Sequence, residues 1–354
     1  MRRAVGLTVC VLLAGTVVSG CTGAVSGHPA GASGVAPQRN PDKVVAVSPG
    51  PDLTTAARGK VRPARTVLGT GRPGRLDAGL AAARQRVHGR GSLLADITVP
   101  GRRTGYRYGA EVYLPAAYFA RSNAHRTFPV VEVLAGSRAD PGSLFRAVSL
   151  QSELDRAIAA GTMPPVIAIG PTRNAVALPD EQCLDNPHGY KMLTYLADDV
   201  PQALPTLLRA RTDRGGWATM GSSSGGYCAA NIAVRRPQQF SSVLSLSGYF
   251  SGAINRGKMS DPSPTAAERR ANAPLYQITK VTQPMSFVLV SARNDTEELQ
   301  ELRAFARVLR DIPADHVTTF VTASGGHSAA AWLPWFPQVM AAFGHDIWQH
   351  AALP

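Results

Sequence analysis

The stretch 216-GWATMGSSSGGYCAANIAVRRP-237 decides the fold. GWATMG reads as a short apolar strand, and SGGYCAANIAVRRP as a helix stopped by a proline. Between them Gly221-Ser222-Ser223-Ser224-Gly225 fits the pattern G-x-S-x-G. The pattern alone is a weak match in a chain rich in Gly and Ser. In a strand–turn–helix setting it describes a sharp turn that lifts the hydroxyl of its central residue, Ser223, clear of a sheet and sets it at a helix N-terminus. A plain strand-to-helix turn is the bland alternative.

Outward from this turn, strands and helices alternate. On the N-terminal side, SLLADITVP and YRYGAEVYLP read as an antiparallel pair, and FPVVEVLAG and PPVIAIGP as buried strands. SLFRAVSLQSELDRAIAAG has the spacing of one helix, and KMLTYLADDVPQALPTLLRA that of another with a break near Pro201. On the C-terminal side, SSVLSLSG, MSFVLVSARND and HVTTFVTASGG are strands, and TEELQELRAFARVLRDI and WFPQVMAAFGHDIWQHA are helices. Such alternation predicts an α/β fold with a mostly parallel sheet covered on both faces.

A serine nucleophile needs a base and an acid, in the order Ser…Asp/Glu…His for this kind of sheet. Asp295 follows FVLVSARN at the end of one strand, and His327 follows FVTAS in GGHSAAAW at the end of the next. The other seven histidines fall in the N-terminal stretch, ahead of Ser223, ahead of the last strand or in the last helix. Glu298 is the alternative acid, although Glu297 and Glu298 also suit the first turn of a helix. The oxyanion formed by attack on a carbonyl needs N–H donors. The backbone of Ser224 supplies one, and Ser137, in Leu134-Ala135-Gly136-Ser137-Arg138, is the natural second.

The N-terminus addresses the compartment. Arg2 and Arg3 precede the apolar or small run 4–18, and Val18-Ser19-Gly20-Cys21 follows. This is the form of a secretory signal and is shorter than a membrane helix of about 20 residues. A Cys after small residues resembles the lipobox of bacterial lipoproteins. The resemblance implies cleavage before Cys21, acylation there, and anchoring to the outer face of the cell membrane. The alternative is an ordinary signal peptide in which Cys21 is incidental. After processing, Cys183 and Cys228 remain as an even pair in an oxidising compartment, so a disulfide bracing the elbow is expected, with two buried thiols the alternative.

Composition bounds the rest. The chain has 354 residues, 44% apolar and 17% charged, which excludes wholesale disorder and a polytopic membrane protein. Its net charge of +13 invites a nucleic-acid reading, but 39–90 holds eleven Lys/Arg against three Asp, a net +8. The charge thus sits on a Gly/Ala/Pro-rich stretch, where it suits anionic lipid or wall polymers, or reflects coding bias, and nucleic acid is not an expected partner. The organisation read here is a signal peptide (1–20), a flexible basic tether (21–81) and a catalytic domain (82–354).

Longer segments carry a family resemblance. GSSSGGYCAANIAVRRPQQFSSVLSLSGYF and GGHSAAAW look like the esterase-D-like esterases of the α/β-hydrolase fold, a group that includes actinobacterial mycolyltransferases and feruloyl-type esterases. DEQCLDNPHG resembles a Cys-containing loop of exported actinobacterial members, and AGSRAD is similar to the mycolyltransferase oxyanion loop. Ala135 departs from the His or Asp often found before that glycine. The resemblance implies serine hydrolase chemistry on carboxylic esters without metal or cofactor, the substrate being a small-molecule, lipid or glycan ester. Acyl transfer to an envelope sugar or lipid hydroxyl is the alternative. A third reading, an inactive ligand-binding lipoprotein, is disfavoured by the intact Ser/Asp/His order. The polar stretch 252–274 is the one candidate cap.

Overall fold

The computed structural model describes residues 47–49, 79–80, 91–137, 139–174, 179–312 and 315–352. The signal segment 1–20, Cys21 and most of the 21–81 tether lie outside the described residues. Two parts of that stretch do not read as tether. Val47–Pro49 (β1) pairs antiparallel with the next strand, and Leu80 is fully buried in the core.

The sheet runs in the order β1-β2-β3-β5-β4-β6-β7-β8-β9. Its strands are β2 (Leu93–Pro100), β3 (Arg107–Leu114), β4 (Val130–Leu134), β5 (Ile167–Pro171), β6 (Trp217–Ser222), β7 (Ser242–Leu246), β8 (Ser286–Ala292) and β9 (His316–Thr322). β2 and β3 form the expected antiparallel pair, and β3 runs antiparallel to β5. From β5 to β9 every pairing is parallel. The five strands β4 to β8 are buried at every residue, which is why they read as unbroken apolar runs; β2 alternates, as a strand covered on one face does.

Helices cover both faces. On one side lie α1 (Ser143–Ala147), α2 (Leu150–Ala159) and α7 (Phe336–Ala351), packing Leu144, Leu154 and Phe343 into one core. On the other lie α3 (Val200–Leu207), α4 (Ser224–Arg235) and α6 (Thr296–Arg310), burying Val200, Tyr227 and Phe305 in the second. A short helix in the 252–274 insertion, α5 (Ala266–Ala271), starts on a capping box between Thr265 and Glu268. Among the described residues no helix is long and apolar enough to cross a membrane.

Two helices differ from their sequence reading. The expected single helix after β4 splits into α1 and α2 because Ser149 takes a left-handed φ of 49°. The next begins at Met192 and widens into a π turn over Tyr195–Asp199 before α3. Pro201 is the second residue of α3, directly after the π turn, so the departure from regular α-helix falls beside it.

Glycines make the central turn possible by close approach. A Cβ on Gly221 would sit 2.0 Å from the carbonyl oxygen of Gly225, and one on Gly225 would sit 2.1 Å from that of Leu134. Both positions of the motif are therefore steric requirements of laying α4 against β6 and β4.

Glu132 breaks the pattern of β4. Its neighbours Val130 and Leu134 face the core under α3, α4 and α6, while Val131 and Val133 face the other. Glu132 is fully buried on the former side, and neither carboxylate oxygen has a hydrogen-bond partner among the described residues. Burial pushes its carboxyl well above the usual range.

Two predictions follow from this packing. A glutamate whose pKa is raised in the folded state stabilises fully only below its ordinary value, and that stability is lost as pH rises. Glu132→Gln removes the loss, so its stability advantage over wild type should widen from pH 5 to pH 8, by up to about 1.4 kcal/mol per pH unit. Urea melts across that range check it; a pH-independent difference contradicts a neutral Glu132. Gly225→Ala should lose about 3 kcal/mol by overpacking, read by the same melts, and a wild-type midpoint would count against the contact.

Candidate active site

Chemistry-bearing side chains gather at the C-terminal edge of the parallel strands, where α/β folds place their ligands. Ser223 ends β6. Its φ of 54° and ψ of −125° are a conformation that L-residues resist, and its N–H donates to Leu246 O at 2.8 Å. The three serines separate by burial. Ser222 and Ser224 are buried, at 7% and 0% exposed, whereas Ser223 remains half-buried. The turn therefore offers the Ser223 hydroxyl.

His327 follows β9 on a loop shaped by Gly325 and Gly326, with φ of 113° and 56°. The N–H of Gly326 donates to Asn294 Oδ1 at 2.9 Å, tying the loop to the end of β8. His327 Nε2 lies 2.8 Å from Ser223 Oγ. Its Nδ1 lies 3.1 and 3.3 Å from the two oxygens of Asp295, the residue that precedes α6. Trp332 Nε1 donates to Ser247 Oγ at 3.0 Å, which pins the far side of the histidine segment to the end of β7.

Glu298 also approaches, with Oε1 3.8 Å from His327 Nδ1, beyond a hydrogen bond. Asp295 is thus the nearer acid. Burial raises the pKa of Glu298, and the neighbouring Asp295 carboxylate raises it further. Arg256, from the 252–274 insertion, pairs with Glu297 and reaches Glu298 at 3.2 Å. The candidate cap therefore lies beside the acid. Among the described residues, Asp295, Glu298 and His327 form the one cluster close enough to hold a metal ion, and Asp295 and His327 are already engaged with each other and with Ser223.

The loop after β4 lies against the elbow. A Cβ on Gly136 would sit 3.5 Å from Ser222 O and 3.7 Å from Ser223 Cβ. The loop that carries Ser137 thus lies beside the serine, and Ser224 opens the first turn of α4, whose N–H groups have no partner inside the helix. Arg138 lies outside the described residues.

Cys183 and Cys228 are bonded to each other, with Cα atoms 5.8 Å apart. Closing a 45-residue separation stabilises by about 4 kcal/mol in the chain-entropy model. The bond fixes the 180s loop to α4, five residues beyond Ser223. Gln182 carries the connection onward: its side chain bonds Tyr249, Ile254 and Ser260.

Arg173 and Asp180 belong to no motif of the sequence. Arg173 lies in a loop without periodicity, and a single arginine two residues beyond a strand end is a faint signal. Yet its guanidinium is buried and pairs with the fully buried Asp180 at 2.8 Å.

Set beside known proteins, residues 101–343 match the family described as "Putative esterase". Over 240 residues, 63% of the chain, it is 26% identical to an uncharacterized protein of Corynebacterium glutamicum; the chain spans 54%, about half, of that relative's length. Among solved structures, a ferulic acid esterase superposes with a TM-score of 0.60 at 18% identity, covering 73% of this chain and 99% of that one. An S-formylglutathione hydrolase from Agrobacterium tumefaciens gives 0.57 at 14% identity, covering 73% and 96%. These likenesses are of fold, and with the parallel sheet, the turn at Ser223 and the family match they lead to one conclusion: the chain belongs to this esterase family and has the α/β-hydrolase fold.

Proposed function

We propose that the chain is an exported serine esterase that cleaves carboxylic esters through an acyl-enzyme. One observation carries the reading: Ser223 Oγ, on a strained turn, is 2.8 Å from His327 Nε2, whose Nδ1 is held by Asp295. Ser223 Oγ attacks the ester carbonyl as its proton passes to His327 Nε2. The carbonyl oxygen becomes an oxyanion held by the amides of Ser137 and Ser224. Collapse breaks the bond to the alcohol, which leaves with the proton from His327. Water then attacks the acyl-enzyme, giving its proton to His327, and the acid departs as Ser223 recovers its hydrogen. Asp295 orients the imidazole and balances its charge. None of these steps draws on a metal or cofactor. A sugar or lipid hydroxyl in place of that water makes the same residues a transferase.

Export rests on the N-terminal sequence, with acylation at Cys21, and the buried disulfide supports it, since cytosolic thiols are kept reduced. The basic stretch would then lie along anionic lipid or wall polymer.

A fluorophosphonate should label Ser223, and Ser223→Ala should abolish labelling and lower kcat by about 10⁴- to 10⁶-fold. His327→Ala should suppress labelling, Asp295→Asn should fall between, and Ser222→Ala and Glu298→Gln should stay near wild type. An acyl-ester panel with and without alcohol acceptors reads hydrolysis against transfer. Labelling of Ser222, or turnover surviving in Ser223→Ala, sinks the assignment, and no turnover of any ester returns the chain to a binding role.

Cys21→Ala should release the protein from the membrane fraction. Unchanged partitioning, with no acyl mass on the mature N-terminus, would refute the anchor.

A further inference from the structure

We propose that Arg173 is a positioning residue for the oxyanion hole, its single guanidinium gripping the rear of both amide donors. The proposal rests on the serine-esterase reading. Arg173 Nη2 donates to Gly136 O at 2.7 Å, and Nε reaches the same oxygen at 3.3 Å. Nη2 also donates to Ser224 Oγ at 2.9 Å. The Nη1/Nη2 fork faces Asp180, with Nη1 at 3.1 Å from Oδ1 and Nη2 at 2.8 Å from Oδ2, so the two Nη2 hydrogens serve three acceptors and one of them is shared.

The geometry of a peptide explains the consequence. Gly136 C=O and Ser137 N–H belong to one rigid plane and point in opposite directions. Fixing the carbonyl oxygen from behind therefore fixes where the Ser137 N–H points. A positive charge at that oxygen also polarises the plane and makes the N–H a stronger donor. The same guanidinium holds the Ser224 side chain, and with it the residue that carries the second amide. Arg173 is 2% exposed, so it acts through these peptides and not on substrate.

Its surroundings are built for the purpose. A buried guanidinium needs a counter-charge, and Asp180 supplies it. Burial alone would raise the Asp180 carboxyl; the charge and hydrogen bonds of Arg173, the Ser137 hydroxyl and the Gln182 N–H outweigh it and hold the group below its ordinary range. Asp180 thus also meets the oxyanion loop directly, through Ser137. Its backbone is bonded on both sides to the insertion, through Lys258 O and Ser260 N at 2.9 Å each. The sulfurs of Cys183 and Cys228 close the rear, 3.7 and 3.9 Å from Nη1.

Lysine keeps the charge but loses the planar fork, so Arg173→Lys is the informative variant. Its kcat should fall about a hundredfold, the scale of one lost oxyanion donor, with KM within twofold of wild type. Affinity for an alkyl boronic acid, which forms a tetrahedral adduct with the serine, should fall by a similar factor, while the product acid binds as before. Asp180→Asn, which removes the counter-charge, is the second variant and should lose about tenfold in kcat in the same pattern. Arg236→Lys breaks a bidentate pair with Asp198 away from the site and should keep wild-type kcat. Wild-type kcat in either site variant, a loss carried by KM, or an equal kcat loss in Arg236→Lys overturns the proposal while wild type still turns over. A wild-type protein that neither turns over esters nor labels at Ser223 removes the serine-esterase reading and this proposal together.

Discussion

Everything at this site depends on one backbone conformation, the left-handed turn at Ser223. Such a conformation costs on the order of 1–3 kcal/mol and persists only where surrounding structure over-determines it. Here the surroundings are visible. β6 is locked between β4 and β7, α4 lies so close that Gly221 and Gly225 admit no Cβ, and the Ser223 N–H is committed to Leu246 O. The sheet and helix hold the strain, and the serine hydroxyl is the beneficiary.

A second demand follows, because an elbow without oriented amides and a held base is only a turn. His327, the proposed base, sits on a glycine loop fastened at Asn294 and by Trp332 on Ser247. The amides face a harder problem, since the β4 loop has no regular structure to hold it. A buried ion pair between Arg173 and Asp180 takes that place. Such a pair is costly to desolvate and contributes little net stability, so its value lies in geometry. The disulfide, Gln182 and the 254–260 segment converge on the same loop.

The parts of this arrangement legible in the sequence share a property: each is dictated by local steric or periodic rules. The buried strands appear as apolar runs, the elbow as small residues between a strand and a helix, and the order of Ser223, Asp295 and His327 as a consequence of strand order. The break at Ser149 and the π turn before Pro201 were less legible, because each is a single-residue departure set by tertiary packing. Arg173 and Asp180 were hidden for a deeper reason. They are seven residues apart in an aperiodic loop, and their meaning lies in contacts with Gly136 and Ser224, far along the chain. Glu132 sits within an apolar run, and the sequence carries no sign that its carboxyl lacks a hydrogen-bond partner among the described residues.

The position of β9 has a consequence for endurance. Among the described residues it is the last strand of the sheet, paired on one side only, with much of its length partly or fully exposed. The serine and the acid hang from interior strands, whereas the imidazole hangs from this border. Edge elements open locally at lower free energy than central ones. The imidazole loop is thus held against local opening by the Gly326–Asn294 and Trp332–Ser247 bonds, which fasten a segment leaving the border strand to the ends of two interior ones.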